Sequence, residues 1–217
     1  MKGSEVILLL SGGIDSTTLL AQLRTTGKLV HALSFDYNQR NRIELSIAKR
    51  NAQKYGVTAH HILKLDYELM AVGNSLTDTR LLSNELPKGD APNHTYVPGR
   101  NLLMLSHAAA YAEAHRINDI YFAANGDDGH RFPDCSPAFA DALNRLWQSC
   151  PNSASLHLHT PYISRSKADV IRKGLELGVD FDQTLSCYAP VDNSSCGSCL
   201  SCVLRKDAMN QALKPKL

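Results

Sequence analysis

The chain has 217 residues, 43% of them hydrophobic and 20% charged, with a net charge of +2. This suits one sizeable domain and offers no electrostatic case for a nucleic-acid or membrane partner. The longest apolar runs, such as Val6–Leu10, are far too short to span a bilayer. The N-terminus lacks the apolar core and cleavage site of a secretory signal, so a cytoplasmic protein with reduced thiols is expected.

In chain order, Glu5–Leu10 (EVILLL) reads as a short, fully buried strand ended by glycine. Asp15–Gly27 reads as a helix, with Asp15 or Ser16 near its N-cap and Gly27 closing it. Leu29–Tyr37 is a second strand. Arg42–Gly56 carries a helical apolar stripe at Ile43, Leu45, Ile47, Ala48 and Ala52. Ala59–Asp66 is a third strand. Asn74–Asn93 is polar and broken by Pro87, Gly89 and Pro92, which predicts a long loop near the site. Arg100–Arg116 is a largely buried helix, and Asp119–Gly126 a fourth strand. Pro137–Cys150 is a helix with proline in its first turn. Leu156–Ile163 is a fifth strand, and Ser166–Gly178 a further helix. Alternating strands and helices predict an α/β fold, a parallel five-stranded sheet with helices on both faces. No repeat or linker divides the chain, so residues 1–217 are expected to form one domain.

The turn SGGIDS, Ser11–Ser16, joins the first strand to the first helix. Ligands of open α/β sheets bind at the carboxyl ends of strands. Glycines let the backbone approach a ligand closely, and the free N–H groups of a helix N-terminus favour an anion. Ser11, Ser16 and Thr17 can add hydroxyl donors. The plain alternative is a tight turn of small residues. The pattern is neither the Gly-Lys-Ser/Thr phosphate loop nor Gly-x-Gly-x-x-Gly.

Of six cysteines, Cys187, Cys196, Cys199 and Cys202 crowd into one short segment. A disulfide framework does not suit a reducing compartment, and a metal is the first alternative. Four thiolates suit a tetrahedral, structural Zn²⁺ with no open position, although spacing alone leaves an iron–sulfur cluster open. Cys135 stands apart; with no partnered base in sight, it reads as a buried structural thiol rather than a nucleophile. His157 and His159 read as ordinary strand residues.

SGGIDS resembles the pyrophosphate loop of the ATP pyrophosphatases, which include GMP synthetase, NAD synthetase and tRNA thiolases. SFDYNQR (34–40), TYVPGRNLLML (95–105), PDC (133–135), TPYISRSKADVI (160–171), SCY (186–188) and CGSCLSCVLR (196–205) are similar, in this order, to the 7-cyano-7-deazaguanine synthase (QueC) family. The similarity runs from about Val6 to Arg205. It implies a pyrophosphate-loop ATPase fold with a C-terminal zinc knuckle over 187–205. It also implies ATP-dependent adenylation of 7-carboxy-7-deazaguanine, with amide and then nitrile formation from ammonia.

On that resemblance, Ser11, Gly12, Gly13, Asp15 and Ser16 cradle ATP and later pyrophosphate, with Thr17 adjoining. Asp15 is also a candidate Mg²⁺ ligand; its plainer role is a helix cap. Leu10, Ser34, Phe35 and Asp36 border the nucleotide. Lys167 and Arg100 stand near phosphate, and Asp15 and Lys167 are the catalytic candidates. Gln39, Arg40, Asn101, His130, Arg131 and Asp134 are candidates for the deazaguanine, with Asp134 suited to the N1–H and 2-amino donors or else a simple turn residue. Cys187, Cys196, Cys199 and Cys202 would hold zinc. A homodimer is an allowed assembly.

The chain departs from the family at two places. The usual DYGQRH is DYNQRN, with Asn38 for glycine and Asn41 for histidine. The usual aromatic-Ser-Gly before Tyr-Pro-Asp-Cys-Arg is Gly129-His130-Arg131, and Ser136 stands for the arginine. These changes gather beside the expected acceptor site. They open a second reading, since QueC-like proteins of antiphage systems join a deazaguanine to the N-terminal amine of a partner protein. A third reading, a non-catalytic nucleotide-binding scaffold, leaves the intact SGGIDS and SKAD without a purpose.

Overall fold

Glu5–Leu9 forms β1, and every residue after Glu5 is buried. Val6, Leu8 and Leu10 enter one core cluster and Ile7 and Leu9 another, which is why the run is apolar at both parities. The computed structural model describes residues 3–66, 74–77 and 95–214. In them α1 is Ile14–Thr25, β2 Leu29–Asp36, α2 Ile43–Lys54, β3 Ala59–Lys64, α3 Arg100–His115 and β4 Asp119–Tyr121. Then come α4 at Gly126–Gly129, α5 at Pro137–Gln148, β5 at His157–His159, α6 at Lys167–Glu176 and α7 at Leu200–Ala212.

The five strands lie in the order β3-β2-β1-β4-β5, and every pairing is parallel. Helices α1, α2, α6 and α7 bury Leu19, Leu20, Ala48, Ile171 and Ala208 on one face. Helices α3 and α5 bury Leu105, Ala108, Leu143 and Trp147 on the other. The chain winds outward from β1 to β3, then returns to lay β4 on the free side of β1. Loops leaving β1 and β4 therefore diverge and leave a crevice at the carboxyl edge. No helix among the described residues is long and apolar enough to cross a membrane.

Three elements differ from expectation. Strand β4 stops at Tyr121 rather than Gly126; Phe122 N–H still donates to His159 O at 3.0 Å, after which the chain leaves the sheet to wall the crevice. Strand β5 covers only His157–His159, because a turn follows in which Ile163 N–H reaches Thr160 O. Helix α7 is an addition, its cysteine-rich start concealing a helix whose Cys202, Ala208 and Ala212 are buried. Of the long loop expected over 74–93, residues 78–93 lie outside the described residues.

Candidate active site and metal centre

Gly12 has φ +81°, and a Cβ there would lie 2.7 Å from Glu44 O and 2.8 Å from Ala48 N. Only glycine permits both the left-handed turn and the close seat on α2. Gly13 then caps α1 in extended conformation with no side-chain cap. The first helical bond is Thr17 N–H to Gly13 O at 3.1 Å, so the amides of Ile14, Asp15 and Ser16 open α1 without an intrahelical acceptor. The Ser11 and Ser16 hydroxyls meet at 3.0 Å, and Ser16 Oγ accepts from Ser11 N–H at 3.2 Å. Hydroxyls and amides thus converge on one concave turn with the chemistry of an anion seat.

Lys167, the first residue of α6, reaches this turn. Its Nζ lies 2.5 Å from Asp15 Oδ2, and both side chains are more than four-fifths buried. Its backbone N–H donates to Asp127 Oδ2 at 2.8 Å. Burial pushes the Asp15 carboxyl above its ordinary value, Lys167 pulls against it, and Asp128 adds to the push. Burial would lower Lys167, but Asp15 and Asp128 carry it above its ordinary value. Asp15 Oδ1 is buried and accepts no hydrogen bond.

A cavity of about 270 Å³ opens beside the turn. Leu10, Ser11, Gly13, Asp15, Ser16, Phe35, Arg100, Asn101 and Lys167 all line it, which brings together nine of the residues singled out in the sequence. Arg100 donates to the Tyr37 hydroxyl at 3.2 Å and forms no ion pair among the described residues. Burial opposes its charge, but Tyr37, Cys135 and Asp134 hold it above its ordinary value. Asn101 Nδ2 donates to Cys135 Sγ at 3.4 Å, and burial raises that thiol to about 12.

Cys135, Asn41 and Cys187 line it too, whereas the remaining nucleotide and substrate candidates lie outside the lining. Gly12 sits behind it, its carbonyl accepting Leu185 N–H at 3.2 Å. Thr17 is buried and takes Asn51 Nδ2 at 3.1 Å. Ser34 ties the strands together, its Oγ donating to Leu10 O at 2.5 Å and meeting His60 Nε2 at 2.8 Å. Asp36 pairs with Arg42 at 2.6 Å and accepts Asn38 N–H at 3.1 Å. Gln39 is buried between Phe35 O and Glu44, and Arg40 reaches Ser75 O. His130 is exposed; Arg131 and Asp134 are half-buried. Burial raises the Asp134 carboxyl while Arg100 lowers it. Asn38 has φ 60°, a left-handed conformation that asparagine tolerates and glycine adopts freely.

Several functional candidates escaped sequence reasoning. Asn125 is fully buried, caps α4 by accepting Asp128 N–H, and donates to Asp128 Oδ2 at 2.6 Å. Asp128, Glu44 and Tyr188 line the cavity. Arg205 donates to Phe181 O at 2.6 Å and Thr184 Oγ1 at 2.9 Å. An Asn-Gly step closing a strand at the carboxyl edge was the one available signal for Asn125.

The sulfurs of Cys187, Cys196, Cys199 and Cys202 all lie within 4.8 Å of one another, with Cys187–Cys199 and Cys196–Cys202 at 4.0 Å. A tetrahedral zinc with Zn–S near 2.3 Å needs sulfurs roughly 3.8 Å apart, so the set fits a closed structural site. Cys187 Sγ accepts Cys196 N–H at 3.3 Å and Cys196 Sγ accepts Cys199 N–H at 3.4 Å, the outer hydrogen bonds that orient thiolate ligands. The cluster packs on Ile43, Ile47 and Leu185. Cys187 also lines the cavity, so the cysteine cluster and the crevice share a wall.

The chain matches the family model described as "Queuosine biosynthesis protein QueC" over residues 5–213. It is 40% identical over 215 residues to a 7-cyano-7-deazaguanine synthase of Rickettsia felis, covering 95% of each chain. A 7-cyano-7-deazaguanine synthase of Methylococcus capsulatus is 40% identical over 211 residues, covering 95% of this chain and 94% of its own. Among solved structures, a predicted subunit of tRNA methyltransferase from Methanocaldococcus jannaschii superposes with a TM-score of 0.52 at 17% identity, covering 80% of this chain and 75% of that one; this likeness speaks to the fold alone.

Proposed function

The chain belongs to the QueC family, and from that premise we propose that it is an ATP-dependent ligase that converts 7-carboxy-7-deazaguanine and ammonia to 7-cyano-7-deazaguanine. The observation that carries the reading is the convergence of the uncapped α1 turn, the Asp15–Lys167 pair and Arg100 on one cavity. A carboxylate is a poor acyl donor because oxide is its leaving group. Attack of the substrate carboxylate on the α-phosphorus of ATP replaces oxide with AMP and expels pyrophosphate. Ammonia then adds to the acyl carbon and AMP departs, leaving the amide. A second ATP adenylates the amide oxygen and releases a second pyrophosphate; loss of that oxygen with AMP, and of the nitrogen-bound protons, gives the nitrile.

The residues act mainly by position and charge. The Ser11 and Ser16 hydroxyls and the first amides of α1 receive phosphate oxygens. Lys167 exchanges Asp15 for the negative charge that grows on departing pyrophosphate. The unpartnered Asp15 Oδ1 fits a Mg²⁺ ligand, and that ion, when bound, would offset phosphate charge. Cys187, Cys196, Cys199 and Cys202 would hold zinc, which, when bound, would brace the crevice wall. Reduced thiols at those positions suit the cytoplasm.

The test supplies 7-carboxy-7-deazaguanine, ATP and Mg²⁺ with ammonium. The expected products are 7-cyano-7-deazaguanine, AMP and pyrophosphate. ADP and phosphate would overturn the reading. Arrest at the amide would remove the nitrile-forming step while keeping ammonia as the acceptor, and an acyl adduct on the N-terminus of an added protein would shift the acceptor to a protein amine.

A further inference from the structure

One half-buried carboxyl in the cavity has no part in the chemistry above. Glu44, in the first turn of α2, lines the cavity. Its Oε1 accepts Gln39 Nε2 at 2.9 Å and its Oε2 accepts Asn41 Nδ2 at 2.6 Å. Each carboxylate oxygen keeps a further lone pair. Asn41 also lines the cavity, and its Oδ1 is buried without a hydrogen-bond partner. Because Asn41 has turned its amino group to Glu44, its carbonyl is the end left over. Two acceptors therefore stand side by side in a cavity whose lining also carries Leu33, Phe35, Leu76, Met104 and Phe122. The charged or phenolic neighbours of Glu44 are Arg100 and Tyr37, and Arg100 is a donor with no ion-pair partner among the described residues.

We propose that Glu44 and Asn41 accept the ring N1–H and 2-amino donors of the deazaguanine while Arg100 donates to its exocyclic oxygen, making this trio the base-reading element of the site. The proposal rests on the synthase reading and deepens it. A guanine-type edge runs acceptor, donor, donor, which this set of one cation and two acceptors complements. Adenine offers one amino donor beside a bare ring nitrogen, which would face a second acceptor across the contact. An ammonium ion would satisfy the acceptors but has no use for the apolar side chains that line the same cavity. Asp134, the acceptor that the sequence suggested for this edge, lies outside the cavity lining.

The test compares binding of 7-carboxy-7-deazaguanine with its analogue lacking the 2-amino group, by calorimetry on the zinc-loaded protein without ATP. The wild type should bind the analogue at least tenfold more weakly, since a site built to pair a donor rejects a ligand lacking it. Glu44→Gln should weaken the parent ligand tenfold or more, raise KM for it, and leave KM for ATP within about twofold. Asn41→Leu, which spares Glu44, should narrow the preference for the 2-amino group. Equal binding of the two ligands by the wild type overturns the proposal without any variant. A Glu44→Gln defect confined to KM for ATP overturns it too, by assigning the acceptors to adenine. The binding arm does not require turnover, so 2-amino preference with no nitrile formed would leave the proposal standing and count against the synthase reading alone.

Discussion

Lys167 Nζ sits 2.5 Å from Asp15 Oδ2, joining residues 152 apart in the chain and two elements, α1 and α6, that pack side by side. Each group is buried, so each depends on the other for compensation. Lys167→Ala should destabilise the ligand-free protein by about 3–5 kcal/mol, because it leaves a buried carboxyl unpaired. Combining Asp15→Asn with Lys167→Met should recover much of that loss. Asp15→Asn and Lys167→Met, singly and combined, should release no AMP. Urea unfolding alongside a pyrophosphate assay separates the two effects; additive stability losses would mean the pair is not coupled.

Gly12→Ala meets two obstacles, a left-handed φ and backbone atoms at 2.7 and 2.8 Å. The conformational strain alone costs on the order of 1–3 kcal/mol, and α2 must also shift. The variant should melt lower and lose ATP binding together, since the turn cannot keep its shape. Unchanged nucleotide affinity in a folded Gly12→Ala protein would contradict this account of the turn.

Purified protein should carry about one zinc per chain. Cys199→Ser should lose the metal and lower the melting temperature. Because Cys187 belongs to both the cluster and the cavity wall, chelation should also weaken binding of 7-carboxy-7-deazaguanine. Elemental analysis, melting curves and titration before and after chelation check all three points.

Burial raises the Glu44 carboxyl from 4.5 to about 7. A raised acid favours the folded state at low pH. Its contribution is complete below the unfolded value and is lost as pH rises through about 7. The ligand-free wild type should therefore lose stability, relative to Glu44→Gln, between about pH 4.5 and 8, by a total on the order of 3 kcal/mol. Parallel stability–pH profiles for the two proteins would show that Glu44 does not titrate abnormally.

Cys135 is buried and its thiol is raised to about 12, whereas Cys150 is exposed. In zinc-loaded protein at pH 8, a small alkylating reagent should modify Cys150 first and leave Cys135 intact. Peptide mass mapping reads the order. Rapid loss of Cys135 would revive the nucleophile that the sequence argued against.

The sequence alone determined what depends on near neighbours. The alternation of apolar runs and helical stripes announced a parallel α/β sheet. SGGIDS announced a strand-to-helix turn rich in glycine and hydroxyls because those residues act within a few positions of one another; that no side chain caps the helix start was shown only by the structure. The CxxCxxC spacing with one cysteine nearby announced a tetrahedral sulfur site for the same reason. Even the departure at Asn38 was locally decided, since asparagine shares with glycine the left-handed conformation found there.

Tertiary structure decided which polar groups face the cavity. Thr17, Ser34 and Gln39 sit within or beside readable motifs, yet their side chains are spent on Asn51, on Leu10 and His60, and on Phe35 and Glu44. Glu44 and Asn125 belong to no motif in the sequence, and they come to the site because α2 seats under Gly12 and β4 ends early beside β1. A sequence specifies what a side chain can donate or accept. The direction in which it does so depends on strand order, on where a ladder stops and on how closely two helices approach, and those are settled by contacts between residues far apart in the chain.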